Sequence, residues 1–180
     1  LQALYAGGVS VPRPIFCDVS GQLLEHSYLF MSFAEGSTSI TPGQEGGYID
    51  RMAAELWGVH SLAVDGLPDL PVRTAPVPEV FDYWPEGDDF HLLRSFLADM
   101  PPHEYSGELC LLHGDFWPEN VLWVGEEVSA ILDWEDCAIG DPLSDVASAG
   151  VELRYLYGRE GMDRFLAAYQ QYTSVDWQRF

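Results

Sequence analysis

Hydrophobic residues recur along this chain at two different periods, and each change of period marks an element boundary. Residues 14–19 (Pro-Ile-Phe-Cys-Asp-Val) and 27–33 (Ser-Tyr-Leu-Phe-Met-Ser-Phe) are apolar runs on either side of the turn-forming Ser20-Gly21 and read as two adjacent strands. A loop rich in Gly, Ser, Thr and Pro covers 35–47. Beyond it, Ile49, Met52, Ala53, Leu56 and His60 return at helical spacing, which predicts an amphipathic helix with those positions inward. Residues 65–87 are broken by prolines and glycines and predict an irregular connection. Asp88 or Asp89 then caps a second helix to about Asp99, with Leu92, Leu93, Phe96 and Leu97 inward.

The pattern then shortens. A strand at 109–112 leads into the loop His113-Gly114-Asp115-Phe116-Trp117-Pro118-Glu119-Asn120, and two apolar runs, 121–124 and 128–132, flank Gly125-Glu126-Glu127 as a hairpin. Asp141-Pro142 supplies an N-cap and a first-turn proline for a helix to about Tyr157, and Met162, Phe165, Leu166 and Tyr169 mark a last one.

Composition narrows what such a fold can do. The 180 residues carry a formal net charge of −21, yet 47% of them are hydrophobic, enough for a core. So acidic a surface repels nucleic-acid phosphates and anionic lipid and attracts cations, small cationic molecules and divalent metals among them. Cys17, Cys110 and Cys137 lie far apart with no CxxC pair, which argues for a reducing cytoplasm. No apolar stretch approaches the ~20 residues that span a bilayer. The chain begins at Leu1 rather than Met, which points to a missing amino-terminal part. All eight basic residues are arginine, so any lysine a mechanism needs comes from elsewhere.

Residues 113–141 hold the candidate chemistry. A two-residue turn at Glu126-Glu127 would set Asn120 directly opposite Asp133, with Cβ atoms about 4.5–5.5 Å apart. One amide oxygen and one carboxylate at that separation suit Mg²⁺, which fills its other positions with water and substrate phosphates. Asp115, five residues before Asn120, reaches the same end of the hairpin and is the candidate base for the proton of an attacking hydroxyl. The Asp-x-x-x-x-Asn spacing equals that of the kinase loop H-R-D-x-x-x-x-N, with Gly114 where the arginine stands. Glu135 either reaches a second metal or faces solvent. Asp141 and Asp145 brace the following helix, and His60 reads as a satisfied core residue rather than a ligand.

Taken together, His113-Gly114-Asp115-Phe116-Trp117-Pro118-Glu119-Asn120-Val121-Leu122, then Ile131-Leu132-Asp133-Trp134-Glu135, then Gly140-Asp141-Pro142 resemble the signature of aminoglycoside phosphotransferase and choline kinase-like enzymes. The resemblance implies an α+β, protein-kinase-like fold: residues 1–36 as the end of a small nucleotide lobe, a short remnant of its β-sheet with the hinge, and 37–180 as a mostly helical catalytic lobe. It implies transfer of the ATP γ-phosphate to a small-molecule hydroxyl, with Asp115 as base, Asn120 and Asp133 as Mg²⁺ ligands and His113 and Asp141 as loop-organising residues. Backbone groups near Ser32 and Ala34 would meet adenine. Glu119 stands where the family commonly has glycine, and neither the family's glycine-rich loop nor its lysine is present. Those departures favour a second reading, a non-catalytic kinase-like binding module; the retained Asn120 and Asp133 favour the enzyme.

Overall fold

The computed structural model describes residues 1–73, 91, 92, 95, 96, 99 and 107–173. In chain order these form α1 (Gln2–Ala6), β1 (Pro14–Asp18), β2 (Tyr28–Met31), α2 (Glu45–His60), β3 (Val72–Arg73), β4 (Cys110–Leu112), a 3₁₀ turn (Pro118–Asn120), β5 (Val121–Val124), β6 (Glu127–Ile131), β7 (Ala138–Gly140) and α3 (Leu143–Tyr169). Three small sheets result: the antiparallel pair β1–β2, the hairpin β5–β6, and a sheet in the order β3-β7-β4, where β7 runs parallel to β3 and antiparallel to β4. No helix among the described residues is long and apolar enough to cross a membrane.

The core lies between α2, α3 and the hairpin. Ile49, Met52, Ala53, Leu56 and Val59 of α2 are buried with Val146, Ala149, Leu153, Phe165 and Tyr169 of α3, and Phe116, Val121, Trp123 and Ile131 pack into the same cluster. All five positions expected inward on α2 are buried, His60 included. Each wholly buried Leu, Val or Phe there contributes about 1.5–3 kcal/mol. Leu4, Val9 and Val11 join the same core, whereas no residue of β1 or β2 is buried. At the surface, Arg164 grips Asp50 with two bonds of 2.8 and 2.6 Å, tying α3 to α2. Both side chains are about half exposed, so this pair contributes only about 0–1 kcal/mol.

Gly158 (φ 70°, ψ −171°) breaks α3 where the apolar spacing predicts the change from one helix to the next. Other expectations change. The connection after residue 65 contains β3, which gains its hydrogen bonds from the equally unforeseen β7 rather than from a sequence neighbour. Leu92 and Phe96 are 71% and 65% exposed instead of inward, for the face they share is covered by nothing among the described residues. Their companions Leu93 and Leu97, and the capping Asp88 and Asp89, lie outside those residues.

The hairpin register also differs from the expected one. Gly125 (φ 63°) takes the first turn position, which needs a positive φ, so Val124 pairs with Glu127 and the turn is Gly125-Glu126. A bulge then inserts one extra residue on the β6 strand, and Val121 pairs with Ile131. Asn120 therefore stands opposite Leu132, whose N–H donates to the Asn120 carbonyl at 2.8 Å, one residue short of Asp133. The bulge has a use: Ser129 Oγ donates to the Glu35 carbonyl at 2.6 Å, and Ser37 pairs with Trp123, fastening the segment after β2 across the hairpin.

Candidate active site

The loop after β4 is held from behind by one buried carboxylate. Asp145, 1% exposed in the first turn of α3, accepts the backbone N–H of His113 at 2.7 Å and that of Gly114 at 2.9 Å. Two successive amides converge on one carboxylate because Gly114 turns the chain at φ 89°. Asp145 therefore braces the loop rather than its own helix. Asp141 does cap that helix, its Oδ1 accepting the N–H of Leu143 at 2.9 Å.

His113 is the loop's internal strut. It is wholly buried, its Nε2 donates to the Leu132 carbonyl at 2.8 Å, and its Nδ1 accepts the N–H of Asp115 at 3.2 Å. One ring thus ties the loop to the strand that ends before Asp133. Trp134 packs on that ring at 4.5 Å and donates its Nε1–H to the Ile131 carbonyl at 3.0 Å.

Asp115 and Asn120 are brought together directly. The Asn120 amide nitrogen donates to the Asp115 carbonyl at 2.9 Å and to its carboxylate at 3.1 Å. With the nitrogen so committed, the amide oxygen is the group Asn120 has left to offer. Asp133, just beyond the register pair, sits at φ 59°, the one non-glycine residue with positive φ among those described. Aspartate tolerates that region better than most residues. Its carboxylate is exposed and makes no hydrogen bond among the described residues, and Glu135 is exposed as well. No three His, Cys, Asp or Glu side chains among the described residues are grouped to hold a metal ion; Asn120 and Asp133 offer oxygen donors of the kind Mg²⁺ accepts.

The expected hinge is partly spoken for. Ser32 continues the β1–β2 pairing: its N–H donates to the Arg13 carbonyl at 2.8 Å and its hydroxyl accepts the Arg13 N–H at 2.9 Å. Its N–H is consequently unavailable to a ligand, whereas Ala34 makes no hydrogen bond among the described residues. A cavity of about 1040 Å³ opens beside this segment, lined by Leu4, Leu29, Met31, Leu67, Asp133 and Trp134 among others.

Burial sets the charge states behind the loop. It pushes the His113 imidazole below the ordinary histidine value, against the opposing pull of the Leu132 carbonyl and of the Asp145, Asp115 and Asp133 charges. Burial also pushes the Asp145 carboxyl up, but the hydrogen bond and charge of His60 and the amides of Gly114 and His113 together hold it below the ordinary carboxylate value. The Cys110 thiol, buried near Asp145 and Asp141, is pushed up to about 12 and stays protonated, which removes it as a nucleophile. Both loop shifts act on stability with one sign, because the unfolded chain takes up each proton at a higher pH than the folded one. Thermal unfolding followed from about pH 8 to about pH 3 is expected to show stability falling first below the ordinary histidine value of 6.5 and again below the ordinary carboxylate value of 3.8. A midpoint unchanged between about pH 7 and pH 5 contradicts a buried neutral His113.

The sequence reading did not find the part Asp145 and His60 play together. His60 Nε2 lies 3.1 Å from Asp145 Oδ2, although 85 residues separate them. The signal was present: each is a polar residue on the apolar face of its helix, and buried polar groups need partners.

The profile of the phosphotransferase enzyme family matches residues 1–180. Viomycin phosphotransferase of Streptomyces vinaceus is 33% identical over 112 residues, which is 56% of this chain and 37% of that protein. The chain spans about a third or less of the length of the curated relatives it matches. Among solved structures, an aminoglycoside phosphotransferase of Streptomyces rimosus in complex with ADP and streptomycin superposes with a TM-score of 0.67 at 17% identity, covering 99% of this chain and 74% of that one. An amicoumacin kinase in complex with AMP-PNP and Ca²⁺ gives 0.67 at 16% identity, covering 97% and 60%. These likenesses fix the fold as α+β and protein-kinase-like.

Proposed function

This chain belongs to the phosphotransferase enzyme family, and we propose that it carries the base and metal-binding part of a Mg²⁺-dependent kinase moving the ATP γ-phosphate to a hydroxyl of a small molecule. The observation that carries the reading is the Asp115–Asn120 contact of 3.1 Å, which holds a carboxylate beside an amide whose oxygen is left for a cation.

In this reading Asp115 accepts the proton of the acceptor hydroxyl as its oxygen bonds to the γ-phosphorus and the bond to the bridging oxygen of ADP breaks. Asn120 has two tasks: its nitrogen fixes the Asp115 carboxylate, and its oxygen would join the Asp133 carboxylate in holding Mg²⁺. The bound metal would neutralise phosphate oxygens. Glu135, exposed two residues past Asp133, is the candidate contact for a second metal. His113 keeps the Asp115 backbone and the segment before Asp133 at a fixed spacing. Adenine would enter the cavity beside β2 and meet the backbone of Ala34 and the carbonyl of Ser32. The nucleotide complexes of the two structural relatives support that co-substrate.

We take residues 1–36 as the end of a nucleotide lobe with its hinge and 37–180 as the catalytic lobe. The net charge of −21 favours cationic acceptors. The three cysteines are free, and we assign the activity to the cytoplasm. A lysine for the nucleotide phosphates would come from outside these residues, since the chain has none. That lack also favours a second reading, a binding module without turnover, which shares the nucleotide site but not the use of Asp115.

Isothermal titration of the full-length protein with MgATP, against its Asp133→Ala variant, tests the metal assignment. The variant is expected to bind MgATP roughly tenfold more weakly or worse, about 1.4 kcal/mol. Equal affinity of the two proteins removes Asp133 from the site.

A further inference from the structure

A hydrogen-bonded line of buried side chains leads away from the reacting loop. Tyr169 Oη lies 2.6 Å from His60 Nδ1, and His60 Nε2 lies 3.1 Å from Asp145 Oδ2, the oxygen that also receives the His113 amide. His60 is 6% exposed, Asp145 1% and Tyr169 0%. An ionised carboxylate can only accept, so His60 Nε2 carries a hydrogen. Its Nδ1 then accepts from the Tyr169 hydroxyl when the ring is neutral and donates to it when the ring is charged.

The line joins parts of the chain that have no other reason to share a polar contact. His60 is the last residue of α2, Asp145 lies in the first turn of α3, and Tyr169 ends α3. Both ends of α3 reach His60 because Gly158 turns the helix between them. Stability alone does not call for this arrangement, since an apolar trio of similar volume serves a core as well or better than a buried ion pair. What an apolar trio cannot do is receive the two amides that set the path of the chain into Asp115.

We propose that His60 and Tyr169 are positioning residues of the phosphotransfer site: acting through Asp145, they fix the amides of His113 and Gly114, so that placement of the Asp115 carboxylate depends on how the far end of α3 is seated. The inference rests on the function proposed above for Asp115. Neither residue lines the cavity beside β2, so their loss is expected in turnover rather than in nucleotide binding.

The test uses the full-length protein with Tyr169→Phe, which removes one hydroxyl, and with His60→Ala and His60→Gln, the latter keeping a side-chain N–H. Amide hydrogen exchange, MgATP binding by calorimetry and MgATP hydrolysis with water as acceptor are measured for each. Exchange at His113 and Gly114 is expected to speed up about tenfold in Tyr169→Phe and more in His60→Ala, with Ala53 inside α2 unchanged in Tyr169→Phe. MgATP affinity is expected to stay within about twofold while turnover falls about tenfold, and His60→Gln is expected to recover part of both changes. Unaltered exchange at His113 and Gly114 in Tyr169→Phe overturns the proposal, as does a turnover loss that only tracks a lower melting temperature. Should the unmodified protein hydrolyse nothing with water as acceptor, the exchange rates at His113 and Gly114 by themselves decide whether the line positions the loop, independently of the phosphotransfer reading.

Discussion

Asp115→Ala in the full-length protein is expected to lower turnover by about 10²–10⁴-fold, the range lost with a positioned general base. The fold should tolerate the change. Asp115 is half-buried, and among the described residues its carboxylate receives a single hydrogen bond, from Asn120 at 3.1 Å. With the side chain gone, the same Asn120 nitrogen keeps the Asp115 carbonyl at 2.9 Å, so no buried donor is left wholly unpaired. The Asp115 N–H likewise keeps His113 Nδ1. The loss is therefore expected in kcat, with the melting temperature and the MgATP dissociation constant little changed. Asp115→Asn sharpens the test, because an amide fills the same space and cannot take the proton. Full activity in either variant sinks the assignment of Asp115 as base. Loss of turnover together with loss of nucleotide affinity points instead to a binding role and favours the module without catalysis.

What could be read from the sequence followed how local each feature is. The α2 helix, the hairpin, the break at Gly158 and the Asp141-Pro142 start of α3 are set by residues within a few positions of each other, and each lies where periodicity and capping put it. The loop from His113 to Asn120 was legible as well, because its side chains sit on one short segment before the hairpin. Placement across the hairpin was harder to read. The turn went to Gly125-Glu126 because glycine takes a positive φ at little cost, and the bulge was drawn to Ser129 by the Glu35 carbonyl, 94 residues away. Neither competing force shows in the apolar pattern, and between them they moved Asn120 from opposite Asp133 to opposite Leu132. Both residues nevertheless stay at the open end of the hairpin.

Long-range partners were the least legible. β7 is three residues long and exists because β3 and β4 flank it, so no propensity within 138–140 could announce it. Asp145 was expected to brace the helix it begins, the common fate of an early helical aspartate. Its partners lie 31 and 32 residues back on the loop that leads into Asp115 and 85 back at His60. A carboxylate on an inward helical face has to find donors wherever the fold supplies them, and here the fold supplied the amides that lead into Asp115. The hinge shows the same limit: an extra pairing with Arg13 at the end of the sheet claims the Ser32 N–H, so of the Ser32 backbone only the carbonyl stays open for the adenine contact that the resemblance implies.

Gly114→Ala is expected to do more damage than its single added methyl suggests. A Cβ built at Gly114 would lie 2.1 Å from the Asp136 carbonyl oxygen and 2.6 Å from its carbon, and both are backbone atoms that cannot rotate aside. At φ 89°, alanine also meets the left-handed penalty of about 1–2 kcal/mol. The turn at 133–137 and the loop at 113–115 then have to separate. That movement strains the His113–Trp134 contact of 4.5 Å or pulls the Gly114 N–H away from Asp145, and each buried donor so orphaned costs about 1–3 kcal/mol. Together these effects take a few kcal/mol from a domain whose whole stability is about 5–15 kcal/mol. Calorimetry should register a fall in melting temperature of about 10 °C, at about 2–4 °C per kcal/mol for a chain of this size. Turnover measured well below that temperature should still be reduced, since Asp115 follows the displaced residue directly. A variant that melts with the unmodified protein shows that Asp136 does not press on Gly114. The same contact accounts for the glycine in this loop where the H-R-D kinase loop has arginine: with the Asp136 carbonyl seated against the α-carbon, position 114 has no room for a side chain.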